Sequence, residues 1–396
     1  MKKCHVIPSV KHRTWVNIDL DHAEYNYQQI KANTNAMVCC VIKANAYGHG
    51  AVQLAKLYQS LGADYLAVSN IEEALQLRQN QITVPILILG YTSCDCAGIL
   101  AENKLTQCVF SYEYGMRLSA VAQAEGVTVK IHIKIDTGMG RIGFLCRDTG
   151  DQEIEKATEV CKAPGLDVEG IFMHFAVADE SESGQAYTKE QFFHFMQAID
   201  AFKAQGIEFK IRHCANSAAI FDYPEYHLDM VRAGIVLYGL KPSEQVKHLP
   251  ELRPVMILRS VIAHIKTVAQ GQTVSYGRTY TAPSARRIAT IPIGYADGFR
   301  RMNGQQRYSL CVHGKAAQIV GRVCMDQLMV DVTDINCNIG DEVVVFGGDA
   351  PFTVDEIARV NQTINYEIIC DVGERVPRAF VRNGQIIAWK DDILGR

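Results

Sequence analysis

Val38-Cys39-Cys40-Val41-Ile42-Lys43-Ala44-Asn45-Ala46-Tyr47-Gly48-His49-Gly50 is an unbroken apolar run that stops on a lysine and passes into a glycine-bounded turn. A short run with no polar alternation is apolar on both faces, the pattern of a parallel-sheet strand covered by helices. The theme recurs at Tyr65–Ser69, Ile86–Gly90, Thr106–Phe110, Val129–Ile135, Val168–Phe175, Phe209–His213 and Asp229–Val236. Amphipathic segments such as Ile71–Arg78, Tyr112–Ala124 and Thr188–Gln205 lie between these runs. Eight strand–helix units in about 200 residues favour an α/β fold of the (β/α)8 TIM-like barrel type. An open doubly wound sheet stays possible, because periodicity alone does not close a barrel.

After Gly239 the rhythm changes. Apolar runs follow one another at Val255–Val268, Arg287–Ile293, Ser309–Val312, Ala317–Val320, Gln327–Val332 and Glu342–Phe346, with turns at Gly271-Gln272 and Gly347-Gly348-Asp349. One helix is expected, over Thr353–Asn361, with Thr353 as its cap and Glu356 three residues on. The division predicted is a barrel over residues 1–242 and a C-terminal, mostly antiparallel β domain over 243–396. The extreme N-terminus is a candidate to pack with the second domain.

Composition narrows the function classes. The 396 residues are 48% hydrophobic and 21% charged with a formal net charge of −3, so a full core is available and no basic excess points to nucleic acid. No run approaches the roughly 20 apolar residues that cross a bilayer, and the opening Met1–Pro8 has no signal-like segment. The 13 cysteines are an odd number and mostly sit inside apolar runs, usage that fits a reducing cytoplasm. Cys94-Asp95-Cys96 has no second pair at zinc spacing, and no metal is expected.

In a parallel barrel the reactive groups lie at the C-terminal ends of the strands. Lys43 closes the first strand, where it reads either as a snorkelling lysine or as a Schiff-base nucleophile whose amine is deprotonated by desolvation. The fifth strand ends Lys134-Ile135-Asp136-Thr137-Gly138-Met139-Gly140-Arg141-Ile142-Gly143. Its Gly138-x-Gly140-x-x-Gly143 copies the dinucleotide fingerprint, but it follows the wrong strand, and Phe144-Leu145-Cys146 continues apolar where a helix should open. NAD binding is therefore rejected, leaving Arg141 held by glycines and suited to a carboxylate or phenolate oxygen. His174 ends the sixth strand, where a structural role is the commoner one. Ser217 and the amides of Gly234 and Ile235, on the seventh and eighth loops, suit a phosphate, with Arg232 one more cation at the mouth. Ser275–Tyr280 and Gly321–Gln327, taken alone, read as ordinary turns.

Together these segments resemble the alanine racemase family, from Thr14-Trp15-Val16-Asn17-Ile18-Asp19-Leu20 to Arg375-Val376-Pro377-Arg378, with the lysine motif at Val41–Gly50 the most specific. The resemblance implies pyridoxal 5'-phosphate as cofactor and racemisation of L- and D-alanine, supplying D-alanine for peptidoglycan. It implies that Lys43 carries the cofactor and is one catalytic base, with Tyr276 the other and His174 hydrogen-bonded behind it. Tyr47, Asn216, Ser217, Gly234, Ile235 and Tyr366 would hold the cofactor, and Arg232 would face its ring nitrogen. Arg141, Met325 and Asp326 would line the substrate pocket, and Lys134 matches a lysine carbamylated in some members. Asp179, Arg301, Arg322 and Ile364 match residues around the access path, with Tyr366 its inner gate. Tyr276, Met325 and Asp326 would come from the partner in a homodimer.

One base per face is the economical way to take a proton from one side of a carbon and return it to the other. A tyrosine base at neutral pH needs nearby positive charge, for which Arg141, the bound cofactor and His174 are the expected sources. Three alternatives remain: a serine or broad-specificity racemase, a pyridoxal-phosphate homeostasis protein built from a barrel alone, and a decarboxylase of the barrel-plus-β type. The retained Tyr366 narrows the pocket toward a methyl side chain but rejects a hydroxyl only weakly. A carrier would need neither the β domain nor Tyr276. No copy of the decarboxylases' late glycine-rich loop and reactive cysteine is apparent, Cys324 and Cys370 being the nearest cysteines.

Overall fold

The computed structural model describes residues 11–147, 151–348 and 350–395. The chain forms two units. One is His22–Arg253; the other begins at Pro254 and takes in the described residues before His22.

In the first unit every one of the eight apolar runs carries a strand. In order these are Met37–Val41, Tyr65–Val68, Ile86–Ile88, Leu105–Val109, Val129–Asp136, Leu166–Phe172, Ile211–His213 and Met230–Ala233. All neighbouring pairs are parallel, and the eighth strand pairs back onto the first with Arg232 opposite Cys39. Between the seventh and eighth strands the ring is drawn together by Asp229 N donating to Arg212 O (3.1 Å) and Arg232 N to Ala215 O (2.9 Å). The barrel forms because the strand residues are apolar on both faces: Val38, Leu66, Leu87, Ile133 and Val231 are completely buried, and helices such as Tyr112–Ala124 and Ser181–Ala204 cover the outside. Burial at about 25 cal/mol per Å2 makes each such side chain worth roughly 1.5–3 kcal/mol.

The second unit is built on a seven-stranded sheet. Its order is Lys315–Gln318, Ser309–Val312, Glu342–Phe346, Met256–Val261, Thr14–Asp19, Arg378–Arg382 and Gln385–Lys390. Thr14–Asp19 runs parallel to Arg378–Arg382, and the other pairs are antiparallel. Thr14, Val16 and Ile18 face inward and alternate with half-buried Trp15, Asn17 and Asp19, the period of a sheet with one covered face. A three-stranded sheet of His264–Val268, Arg286–Ile291 and Leu328–Asp331 adjoins a two-residue ribbon, Thr273–Val274 against Tyr280–Thr281. Val268, Val274, Tyr280, Ala282, Ile288 and Val320 close a small core beneath that ribbon.

The expected helix spans Val354–Val360, with the reciprocal cap in place: Glu356 N donates to Thr353 Oγ1 (3.2 Å) and Thr353 N to Glu356 Oε2 (2.8 Å). A second, six-residue helix, Asn365–Cys370, was not foreseen. Its length is too short for a helical period to stand out in the sequence. Among the described residues no helix is long and apolar enough to cross a membrane.

Candidate active site

Lys43 leaves the first strand on a turn of the wrong hand. Ala44, Asn45, Ala46 and Tyr47 all have φ between 51 and 53°, a left-handed run that costs about 1–2 kcal/mol per ordinary residue. Neighbouring groups hold it. The Glu73 carboxylate accepts from Ala44 N (2.6 Å) and Ser69 N (2.7 Å), Asn45 Oδ1 accepts from Ala51 N (2.9 Å), and Gly48 N donates back to Ala44 O (2.9 Å). Strain retained in this way is a mark of a functional turn.

Tyr47, the last of the four, meets the seventh and eighth loops. Ser217 Oγ accepts from Gly234 N at 2.9 Å. A Cβ placed on Gly234 would lie 3.1 Å from the Tyr47 hydroxyl and 3.4 Å from Ser217 Oγ. The glycine thus keeps open a hollow edged by two hydroxyls, with Ile235 the next residue along. Asn216 is beside it, but its side-chain oxygen accepts from Ala219 N (3.1 Å) and so supports the loop from within.

Arg232 is buried and fixed from behind. Its NH1 donates to His213 Nδ1 (3.0 Å) and His213 O (3.1 Å). Its NH2 reaches Met173 O (2.8 Å), Cys214 O (3.1 Å) and His174 Nδ1 (3.2 Å). Burial, with Arg141 adding to it, brings the guanidinium down to about 10, so it stays a cation at neutral pH. Burial and then the charge of Arg232 hold His174 well below the ordinary imidazole range. This direction runs against the expectation that His174 is among the positive charges that assist a tyrosine base. The two N–H groups of Arg232 NH2 face three acceptors, of which His174 Nδ1 is the farthest.

Lys134 is buried, its Nζ donating to Ile135 O (3.2 Å) and lying 4.9 Å from the centre of the Phe172 ring. Burial first, then Arg232 and Arg141, push its amine down to about 7. The folded chain therefore holds fewer protons than the unfolded chain between pH 7 and the lysine's ordinary 10.5, and stability rises with pH across that window. Lys134→Met is expected to stabilise the chain below pH 7, by at most ~5 kcal/mol, with the gain fading as pH approaches 10.5. Urea melts from pH 6 to 10 in CO2-free buffer measure it; a pH-independent difference between the two proteins would show that Lys134 does not titrate there.

The Gly138-x-Gly140-x-x-Gly143 segment opens no helix. All three glycines have positive φ, and the chain folds back so that Phe144–Leu145 pairs in parallel with Ile135–Asp136. Asp136 Oδ1 accepts from Gly138 N (2.9 Å) and Gly140 N (3.0 Å), forming the loop that carries the exposed Arg141. The rejection of a dinucleotide site agrees with this geometry. Asp179 is half-buried, and its backbone oxygen accepts from the Ser243 hydroxyl.

In the second unit Tyr276 is carried on a strained turn beyond the ribbon. Ser275 has φ 69° and ψ 176°, a region that side chains seldom enter, and its hydroxyl donates to Arg322 O (2.8 Å). Arg322 in turn crosses Gly277, where a Cβ would lie 2.9 Å from the guanidinium. Tyr276 is 69% exposed, Met325 53% and Ile364 60%. Asp326 pairs with Arg375 at 2.7 Å, Arg301 is exposed, and Tyr366 is half-buried on the short second helix.

Sequence reasoning passed over Glu73, His132, Glu169 and the side chain of His213. One signal was present: Lys130, His132 and Lys134 alternate along an otherwise apolar strand, which places all three on the same face, toward the barrel interior.

A glycine edged by two hydroxyls, and a fixed arginine on the last strand, lie at the C-terminal ends of a parallel barrel's strands, where barrel enzymes carry their reactive groups. The sequence profile described as "Alanine racemase, N-terminal domain" matches residues 18–242, and "Alanine racemase, C-terminal domain" matches 255–380. An alanine racemase of Desulforamulus reducens is 47% identical over 94% of this chain and 100% of its own length. The solved alanine racemase of Clostridium difficile 630 superposes with a TM-score of 0.91 at 41% identity, over 97% of this chain and 99% of that one. The enzyme of Bacillus anthracis with bound L-Ala-P gives 0.91 at 37% identity, over 98% and 99%. The chain belongs to the alanine racemase family, and it is an enzyme of that family.

Proposed function

We propose that the protein interconverts L- and D-alanine with pyridoxal 5'-phosphate, in a site shared by two copies of the chain, and that its product serves peptidoglycan synthesis. The observation that carries the cofactor reading is the hollow at Gly234: the Tyr47 and Ser217 hydroxyls edge a space that a single methyl would fill. Those residues fit a phosphate, with the Gly234 and Ile235 backbone beside them and Tyr366 as a further donor. Asn216 supports the loop. Arg232 would face the ring nitrogen, and Lys43 would carry the cofactor covalently through its amine. When bound, pyridoxal phosphate supplies the electron sink that makes an amino acid's α-proton acidic.

The chain's own groups then divide the work. Lys43 handles the proton on one face of the α-carbon, and the partner subunit's Tyr276 handles it on the other. His174 would offer a ring N–H to the tyrosine oxygen and so favour the charged tyrosine by a hydrogen bond instead of by charge. Arg141 would take the substrate carboxylate, with the partner subunit's Met325 and Asp326 beside the side chain. A carbamylated Lys134 would bring a negative charge to Arg141, and an amine with its balance point near 7 is ready for that reaction without prior deprotonation by a base. Asp179, Arg301, Arg322 and Ile364 would line the access path behind Tyr366. The exposure of Tyr276, Met325 and Ile364 on one unit supports a partner that covers them, since a base left in open water gains little from its neighbours. The division proposed is a barrel, through residue 242, that binds the cofactor and a β domain that brings the second base. The free thiols among the described residues support a reducing cytoplasm.

The test is loss of optical rotation together with deuterium at Cα, for L-alanine and separately L-serine in D2O. Faster turnover of alanine is expected. Faster serine turnover would move the assignment to a serine racemase, and no exchange with either on cofactor-loaded protein would remove the catalytic reading.

A further inference from the structure

Behind Arg232 the barrel interior holds a chain of polar groups that none of the roles above uses. His213 Nε2 lies 2.9 Å from His132 Nδ1, and His132 Nε2 lies 3.3 Å from Glu169 Oε2. The other Glu169 oxygen pairs with Lys130 Nζ at 2.7 Å, and the Tyr65 hydroxyl also donates to the carboxylate.

Two features of the backbone make this contact possible. The fifth and sixth strands pair Ile131 with Val168 and then His132 with Gly170, so Glu169 is the extra residue of a bulge. A bulge re-aims the side chain it carries, and here it brings Glu169 to the inward-facing row of Lys130, His132 and Lys134. At Gly170 a Cβ would fall 2.7 Å from His132 Cε1 and 2.8 Å from His132 Nε2. Any larger residue would push the ring from its place.

The direction of the chain follows from its first member. Arginine has no acceptor, so His213 Nδ1 must accept from Arg232 and carry its proton on Nε2. That proton goes to His132 Nδ1, which leaves His132 with its own proton on Nε2, donated to Glu169. An ionised carboxylate accepts only, and it therefore ends the chain in this sense and no other. Burial raises the Glu169 carboxyl, but the hydrogen bonds from His132, Lys130 and Tyr65 outweigh it and bring it to about 2. Burial and then the charge of Arg232 hold His213 well below the ordinary imidazole range, and burial lowers His132 also. A cation at the barrel mouth is joined to an anion deeper in the barrel by two neutral rings.

We propose that Glu169 is a positioning residue for the reaction: through His132 and His213, both protonated on Nε2, it fixes the orientation in which Arg232 is held at the barrel mouth. The proposal rests on the reading of Arg232 as the residue that faces the cofactor's ring nitrogen. Were the Glu169 charge absent, both imidazoles could turn over, and a His213 N–H would then confront the arginine instead of accepting from it.

Long-range proton–nitrogen correlation spectra of 15N-histidine-labelled protein test this, with the cofactor bound and removed. Nε2–H tautomers at His132 and His213 are expected in both states. A proton on His213 Nδ1, or a charged imidazolium there, would overturn the proposal. In Glu169→Gln the carboxamide can donate as well as accept. The expected results are mixed tautomers at His213, two hydrogen bonds from the substitution, and a kcat about tenfold lower with KM within about twofold, the scale on which supporting partners act. Unchanged His213 resonances and unchanged kcat would overturn it. Should Glu169→Gln not fold, Glu169→Asp, whose shorter carboxylate withdraws from His132, is read by the same His213 resonances and kcat, with the same outcomes deciding. Failure of the racemase reading would appear as absence of α-deuterium exchange, leaving the cofactor-free spectra as they are.

Discussion

Lys43→Ala is expected to abolish racemisation in both directions, by at least ~10^4-fold, because on the proposed reading one substitution would remove both the covalent attachment of the cofactor and one of the two bases. The fold should survive. Lys43 is half-buried, and the left-handed turn that follows is held by the Ala44, Asn45 and Gly48 backbone and the Glu73 carboxylate, none of which involves the lysine side chain. Chiral analysis of alanine after long incubation measures the loss, and borohydride treatment followed by peptide mapping reports whether the cofactor remains covalently attached. Turnover within tenfold of wild type would remove Lys43 from both roles.

Tyr276→Phe is expected to act unequally. Removal of the α-proton from one enantiomer should fall by about 10^2–10^4-fold, the range for loss of a positioned base, and removal from the other should change far less. The substitution deletes only a hydroxyl from a ring that is 69% exposed in a single chain, so neither stability nor the Ser275 turn should suffer. Single-turnover deuterium exchange from D- and from L-alanine separates the two faces. Equal losses would mean that Tyr276 serves the site in some way other than as the base of one face.

The barrel was legible because its strands are buried on both faces, so each appears as a compact apolar run whose polar C-terminal neighbour lies at the mouth. Lys43, His174 and Arg232 could all be placed by that rule before any side chain was located. The Thr14–Asp19 strand was harder. It precedes the barrel in the chain but belongs to the seven-stranded sheet, and its alternation of Thr14, Val16 and Ile18 with polar neighbours is the sign that separates it from the barrel runs. The state of His174 could not be read at all, because it is set by burial and then by the charge of Arg232, 3.2 Å away on a separate strand. The same holds for Glu169: a bulge and a missing Cβ at Gly170 give it its place, and neither has a periodic signature. Tyr276 read alone as a turn residue. Family resemblance, not local pattern, singled it out.

On the proposed reading each site takes Lys43 from one copy of the chain and Tyr276 from another. Mixing inactive Lys43→Ala protein with Tyr276→Phe protein, under conditions that let subunits exchange, tests it directly. Mixed dimers would contain one site with both defects and one with neither, so racemisation should return to roughly a quarter of the wild-type rate at random pairing. A mixture no more active than its two components would place both bases in the same chain and contradict the shared site.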